Sequence, residues 1–325
     1  MSGWCNESKP ISIESIGWGS FKQKKEDIMK QWKVLYLGPK RSFSEIATKE
    51  WIKNRRGKKN AEKNVFETFL LCPQRSISKV FTTFYDWIAR GIYSATSIVP
   101  VENSTEGSVN TVLDELVGLE GKIVVIGEIV LNIRQNLITT QGATLQDIKT
   151  VYSHPQGIAQ TRGWLQKHLP EVKLVEVSST SKGAQIVAEK KDPTIAAIGS
   201  KEAANLPGLK ILMKNINDSS NNKTRFIVLG QSMPRPTGHD KTSLTFTIQN
   251  EPGSLLRVLE VFDIYNINIC KIESRPTKKG LGLYRFFVDI DGHQSDEKLS
   301  AALKIAKEKC QSFKTLGSYP VAEED

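Results

Sequence analysis

Cysteine is scarce and scattered in this 325-residue sequence: Cys5, Cys72, Cys270 and Cys310, with no CxxC. That excludes a disulfide framework and a cysteine zinc site, and it fits a reducing compartment. Histidine is equally sparse, four residues with no HxxxH spacing, so no metal is expected. No apolar run approaches the roughly 18 residues of a membrane-crossing helix. GxGxxG and the P-loop are both missing, which argues against a nucleotide. The first 30 residues lack the apolar centre of a secretory signal, and Glu7, Glu14, Glu26 and Asp27 do not suit a transit peptide. The expected location is cytoplasmic.

What is present is ordinary globular composition, 39% apolar and 25% charged, over a length that allows two or three domains. The net charge of +10 is unevenly spread: fifteen basic against seven acidic residues precede Glu67. Much of it lies in "KNRRGKKNAEK" (53–63), which has no aromatics to stack bases and no finger spacing. We read that run as a solvated loop inserted in the first α/β unit, with no nucleic-acid partner.

Short apolar runs alternate with helical periodicity along the chain. A flexible arm, 1–33, is expected to be helical near Lys24 to Trp32. Val34 to Leu37 reads as a buried strand closed by Gly38-Pro39, and Ser42 to Trp51 as a helix. Ile77 to Ala89 puts Ile77, Val80, Phe81, Phe84 and Ile88 on one helical face. A strand ends at Pro100, and further strand–helix units follow to the strand 226–229. The class is α/β with a mostly parallel sheet, whose ligands sit beyond the strand ends. "GQSMPRPTGHDK" (230–241) is a linker by its Pro and Gly. Beyond it the order βαββαβ predicts a ferredoxin-like sandwich of about 80 residues.

Four polar loops could carry chemistry. Glu102-Asn103-Ser104-Thr105-Glu106-Gly107 offers a carboxylate, an amide and hydroxyls at a helix start. Ser178-Ser179-Thr180-Ser181 has more hydroxyls than one cap needs. Asn222-Lys223-Thr224-Arg225 puts a hydroxyl and a guanidinium at the mouth of a strand. Ser153-His154-Pro155-Gln156 adds a histidine that is more often structural than catalytic in such a loop. Together they suit a small anion, and alone they do not choose between an enzyme and a receptor.

The segments "SIVPVENSTEGSV", "YSHPQGIAQT", "VSSTSKGA", "NDSSNNKTRFIVLG", "NEPGSLLRVLEVF" and "CKIESRPTKKGLGLYRFFVDIDGH" occur in the order that resembles prephenate dehydratase, over roughly residues 34–320. The resemblance implies a two-lobed catalytic domain like type II periplasmic binding proteins over 34–231. The chain would cross to the second lobe near residue 112 and return near 212. A linker, 232–241, and an ACT regulatory domain, 242–320, would follow. It implies conversion of prephenate to phenylpyruvate, CO2 and water without a cofactor, feedback inhibition by L-phenylalanine, and a homodimer or homotetramer. The family's first loop reads Gly-Pro-x-Gly-Thr-Phe-Ser, and here Arg41 stands at the second glycine, a position suited to positive φ or close approach.

On this resemblance Thr224 is expected to donate to the leaving oxygen, with Glu102 a proton source behind it and Arg225 paired with the pyruvyl carboxylate. Asn103, Ser104, Ser42, Ser179, Thr180, Gln156 and Phe226 would orient the substrate. Because neighbours on a strand face opposite ways, Thr224 and Arg225 share the cleft only if strand pairing starts at or after Phe226. Phenylalanine would bind through Asn250, Pro252, Gly253, Ser254 and Leu255, with Glu273, Ser274, Arg275 and Pro276 meeting its amine. Arogenate dehydratase and a catalytically dead phenylalanine sensor are the rival readings. Bifunctionality with chorismate mutase is not expected, because the family's mutase domain takes about 80–90 residues and the arm before residue 33 is shorter.

Overall fold

Three sheets, each with helices packed on it, account for the chain in a computed structural model that describes residues 30–59, 67–119, 123–278, 280 and 282–322. Residues 24–29 of the expected helix lie outside these residues, and its last three, Lys30 to Trp32, begin a strand instead. In chain order come β1 (Lys30–Leu37), α1 (Phe43–Lys59), β2 (Glu67–Gln74), α2 (Ile77–Ala89), β3 (Ala95–Asn103), the two-residue β4 (Gly107–Ser108), α3 (Asn110–Val117) and β5 (Val124–Asn132). Next are β6 (Asn136–Thr140), β7 (Thr150–Ser153), α4 (Pro155–Ala159), α5 (Arg162–His168), β8 (Lys173–Glu176), α6 (Thr180–Lys190), β9 (Ile195–Gly199) and β10 (Leu209–Met213). The chain returns in β11 (Lys223–Gly230) and ends with β12 (Asp240–Thr247), α7 (Ser254–Ile264), β13 (Ile269–Pro276), β14 (Tyr284–Asp291), α8 (Glu297–Glu308) and β15 (Ser312–Pro320).

The first sheet runs β2-β1-β3-β11-β5, with β4 on β3, and the second runs β10-β6-β9-β7-β8. The central strands read as apolar runs because both of their faces are covered. Val34, Leu35 and Tyr36 of β1 and the whole of β9 are buried. Neither sheet is mostly parallel. β11 lies antiparallel to β3 and β5, and β6 lies antiparallel to β9 and β10.

The crossing point also differs from the expectation. β5 pairs with β11 in the first sheet, so the chain crosses between Asn132 and Asn136 and comes back over 214–222. The cleft between the lobes is therefore bordered by these two crossings. The basic run is not wholly a loop. α1 continues through Arg55, whose guanidinium lies 4.2 Å from the Trp32 ring centroid, and residues 60–66 lie outside the described residues. Lys and Arg are good helix formers, and the apolar face of α1 carries them along.

The third sheet, β13-β14-β12-β15, has α7 and α8 on one face, over Leu244, Phe246, Val288 and Ile290. Its other face joins the first lobe: Phe287, Leu316 and Tyr319 pack in one cluster with Val125, Ile227 and Leu229. The approach is close enough that a Cβ at Gly317 would lie 2.1 Å from the Val125 carbonyl oxygen. Glycine is required there because backbone meets backbone.

Candidate active site

Between the lobes lies a cavity of about 300 Å³ that five separate elements furnish. Ser42 and Ser44 come from the start of α1, Asn103 from the end of β3, and Thr224 and Phe226 from β11. The second lobe contributes His154, Gln156 and Gln160 around α4, and Ser178, Ser179 and Thr180 at the N-terminus of α6. A larger cavity, about 510 Å³, lies between α3 and the third sheet, but none of the four polar loops reaches it.

Thr224 stands opposite Asn103 in the β11–β3 ladder and is 9% exposed. The Asn103 amide nitrogen donates to Thr224 Oγ1 (2.8 Å), to Asn222 Oδ1 (2.9 Å) and toward the Lys223 carbonyl (3.2 Å). The amide cannot be turned round, because its oxygen accepts from the Thr105 backbone N–H at 3.0 Å and from the Thr105 hydroxyl at 2.6 Å. A backbone N–H is only ever a donor, so it fixes which end of the amide is oxygen. Thr224 Oγ1 is thus an acceptor toward Asn103 and keeps its own proton for the cavity.

On the second lobe Ser179 caps α6, accepting from Lys182 N at 3.0 Å. Ser178 and Thr180 sit beside the free N–H groups of that eleven-residue helix, a favourable place for an anion. His154 caps α4, with Nδ1 accepting from Gln156 N at 3.2 Å, so its neutral form carries the proton on Nε2. The lining includes no Lys or Arg among the described residues.

Two lining residues escaped the sequence reading. Gln135 is 2% exposed, gives its amide to Gln160 Oε1 at 3.1 Å, and leaves its own Oε1 without a partner. Gln135 follows Asn132-Ile133-Arg134, which is the interlobe crossing, and nothing in its residue type marks it. Gln160 lay within a quoted motif that gave it no role.

Several expected residues lie elsewhere. β11 pairs from Lys223 onward, so alternation holds and Arg225 faces away from Thr224. Its Nε donates to Glu128 (2.6 Å), Nη1 to Asp289 (2.6 Å) and Nη2 to the Tyr319 hydroxyl (2.8 Å). Glu102 lies on that same far face, 2.9 Å from Lys271 and 3.7 Å from Arg225. Neither Arg225 nor Glu102 lines the cleft. Ser104 is exposed and ties the loop to the returning chain through Asn221 O (3.0 Å) and Lys223 N (2.9 Å). Arg41 also stays out of the lining. It does take the glycine-like φ of +66°, with its N–H on Glu45 and its carbonyl held by Ser200.

In the C-terminal domain, Asn250, Pro252, Gly253, Ser254 and Leu255 form the β12–α7 turn and the start of α7, with Gly253 at φ +78°. Arg257 lies over this turn, donating to Ser254 Oγ at 2.9 Å and to the Pro252 carbonyl at 3.2 Å. Glu273 and Arg275 do not meet the turn. Ser108 donates to Glu273, and Arg275 donates to Asn110 and to Asp114 (3.2 Å) of α3. Ser274 pairs across from Phe286, on the side that carries the helices, and both Ser274 and Pro276 are exposed.

A family model described as prephenate dehydratase matches residues 34–234, and one described as ACT domain matches residues 242–308. The chain is 42% identical over 293 residues to a bifunctional chorismate mutase/prephenate dehydratase of Aquifex aeolicus, covering 90% of this chain and 75% of that one. It is 40% identical over 292 residues to a prephenate dehydratase of Methanocaldococcus jannaschii, covering 89% and 98% respectively. The solved structure of an Arthrobacter aurescens prephenate dehydratase in complex with L-Phe aligns with TM-score 0.76 and 31% identity, over 89% of this chain and 90% of that one.

Proposed function

The chain belongs to the prephenate dehydratase family, and on that footing we propose that the Thr224 hydroxyl, oriented by Asn103, is the donor to the leaving oxygen in this cleft. The reaction takes prephenate to phenylpyruvate, CO2 and water in L-phenylalanine biosynthesis, and the ACT domain places it under phenylalanine control. The bond from the ring to its hydroxyl breaks. The bond from the ring to its carboxylate also breaks, its electron pair entering the ring. One proton drawn from solvent completes the water.

What supports the role of Thr224 is the one-way hydrogen bond from Asn103, which leaves the hydroxyl proton unspent. A threonine hydroxyl is too weak an acid to protonate hydroxide outright, so it acts as a positioned donor while the oxygen departs. Glu102 has no part, since it faces the ACT domain. The substrate's pyruvyl carboxylate meets the α6 N-terminus, with Ser179 and Thr180, and the amide hydrogens of Gln156, while the unpartnered Gln135 Oε1 offers an acceptor to the ring hydroxyl. Ser42 and Phe226 close the first-lobe side. A site with hydroxyls and dipoles but no lining cation leaves the ring carboxylate poorly stabilised, which favours its loss.

Phenylalanine is read as docking its carboxylate at the β12–α7 turn, where Arg257 supplies the cation and Gly253 the close approach. The exposed Leu256, Ile264 and Ile272 on the helix side of the ACT sheet support a homodimer or homotetramer, which light scattering would read. The thiols of Cys270 and Cys310 favour the cytoplasm.

The deciding experiment is turnover by Thr224→Ala and Thr224→Ser. The alanine variant keeps its fold and phenylalanine affinity and loses at least about 100-fold in kcat, while the serine variant retains most of it. Near-normal turnover by Thr224→Ala would remove the hydroxyl from the mechanism.

A further inference from the structure

Arg225 is the next residue after Thr224, and everything it touches lies on the far side of β11. Of the three groups its guanidinium meets within 2.8 Å, two belong to the ACT sheet: Asp289 on β14 and the Tyr319 hydroxyl on β15. The third, Glu128 on β5, is itself held by Lys241 of β12 at 3.0 Å and by the Ala322 N–H at 3.1 Å. Ser243 of β12 closes the ring, at 2.5 Å from both Asp289 and Tyr319. The arginine side chain is 13% exposed, and those of Glu128 and Asp289 are 1% and 10% exposed. A guanidinium this buried, with all its partners in fixed directions, has little freedom to slide.

The backbone at this point is also irregular. The β11–β3 register shifts between Arg225 and Phe226, because Arg225 faces Glu102 while Phe226 faces Pro100. Bulges beside active sites re-aim side chains, and this one lies between the ACT-facing arginine and the cleft-facing phenylalanine.

We propose that Arg225 is a positioning residue that couples the ACT sheet to the Thr224 hydroxyl, so that a shift of β14 and β15 is delivered to the cleft through β11. It touches no substrate. Its planar fork converts the position of Asp289 and Tyr319 into the position of residue 225, and the peptide bond to Thr224 carries that to the donor. Phenylalanine then needs no contact with the active site. It needs only to favour one placement of the ACT sheet over another, which is the thermodynamic content of coupling between two sites. This rests on the reading of Thr224 as donor and of the ACT domain as the phenylalanine sensor.

Two variants test it. Tyr319→Phe removes an ACT partner of the guanidinium without approaching the cleft. It should bind phenylalanine with unchanged Kd and keep kcat within about twofold in its absence, yet saturating phenylalanine should slow it at least about fivefold less than it slows the wild type. Arg225→Lys keeps the charge and loses the fork. Its kcat should fall about tenfold with KM within about twofold, whereas a guanidinium that gripped substrate would put the loss into KM. A Tyr319→Phe enzyme inhibited as fully as the wild type would overturn the coupling, and Arg225→Lys with raised KM and unchanged kcat would overturn the positioning role. Should Arg225→Lys fail to fold, Tyr319→Phe alone decides. A wild-type enzyme that binds phenylalanine without slowing would instead overturn the regulatory reading beneath the proposal.

Discussion

Asn103 has two amide hydrogens and three acceptors within reach, and its oxygen is already committed to Thr105. Changing it to Asp reverses one end of that arrangement. A carboxylate has no hydrogen to give, so the Thr224 proton turns toward residue 103 instead of the leaving oxygen. Asn103→Asp should therefore lose about as much kcat as Thr224→Ala, on the order of 100-fold, although the threonine is intact. Steady-state rates on both variants check this, and near-normal turnover by Asn103→Asp would mean the threonine does not need its orienting partner. At this scale much was legible. Asn103 and Thr224 lie in segments whose residue types suit hydrogen bonding to a small anion, and Arg41 stands where a glycine-like φ is wanted and adopts it. Gln135 was not legible, because its role comes from where the chain crosses between lobes.

The same sequence misled about Arg225 because residue type says nothing about face. Strand alternation decides the face: pairing from Lys223 puts Thr224 and Phe226 toward the cleft and Arg225 toward the ACT sheet. Two strands gave little signal. β2 and β10 are sheet-edge strands whose residues are mostly half exposed or exposed, so neither carries a clean buried run. β5 was placed in the wrong lobe because its partner β11 lies almost a hundred residues downstream, and pairing at that separation leaves no local trace. α6 shows how an element can be tested as a unit. A Cβ at Gly183 would sit 2.7 Å from the Tyr152 carbonyl oxygen of β7 and 3.4 Å from the Ala197 Cβ of β9. Gly183→Ala must push α6 off the sheet and displace Ser179 and Thr180 at its start. Overpacking of this kind costs about 1–3 kcal/mol, to be read by urea unfolding, and kcat/KM should fall with it. Lost stability with unchanged kcat/KM would show that substrate does not depend on the α6 N-terminus.

Over the whole molecule, the ACT domain is less an appendage than a wall of the first lobe. Phe287, Leu316 and Tyr319 are shared core, each contributing about 1.5–3 kcal/mol of burial. Charge adds a second seam along α3, where Asp114 meets Lys278 at 2.9 Å and Arg275 at 3.2 Å. The Lys278 hydrogen bond, ahead of the cost of burial and the nearby Arg275 charge, holds the Asp114 carboxyl below the usual carboxylate range. A carboxyl whose folded value is depressed stabilises the fold fully above its unfolded value, about pH 3.9, and loses that contribution as pH falls through the folded value. Wild type should therefore exceed Asp114→Asn in urea midpoint at pH 7, and the gap should close below about pH 4. Because Asp114 and Lys278 are largely exposed, the gap should be small and should narrow further in high salt. A gap that stays constant from neutral pH into acid would mean that the α3 seam is held by shape and apolar packing, with its charges contributing nothing.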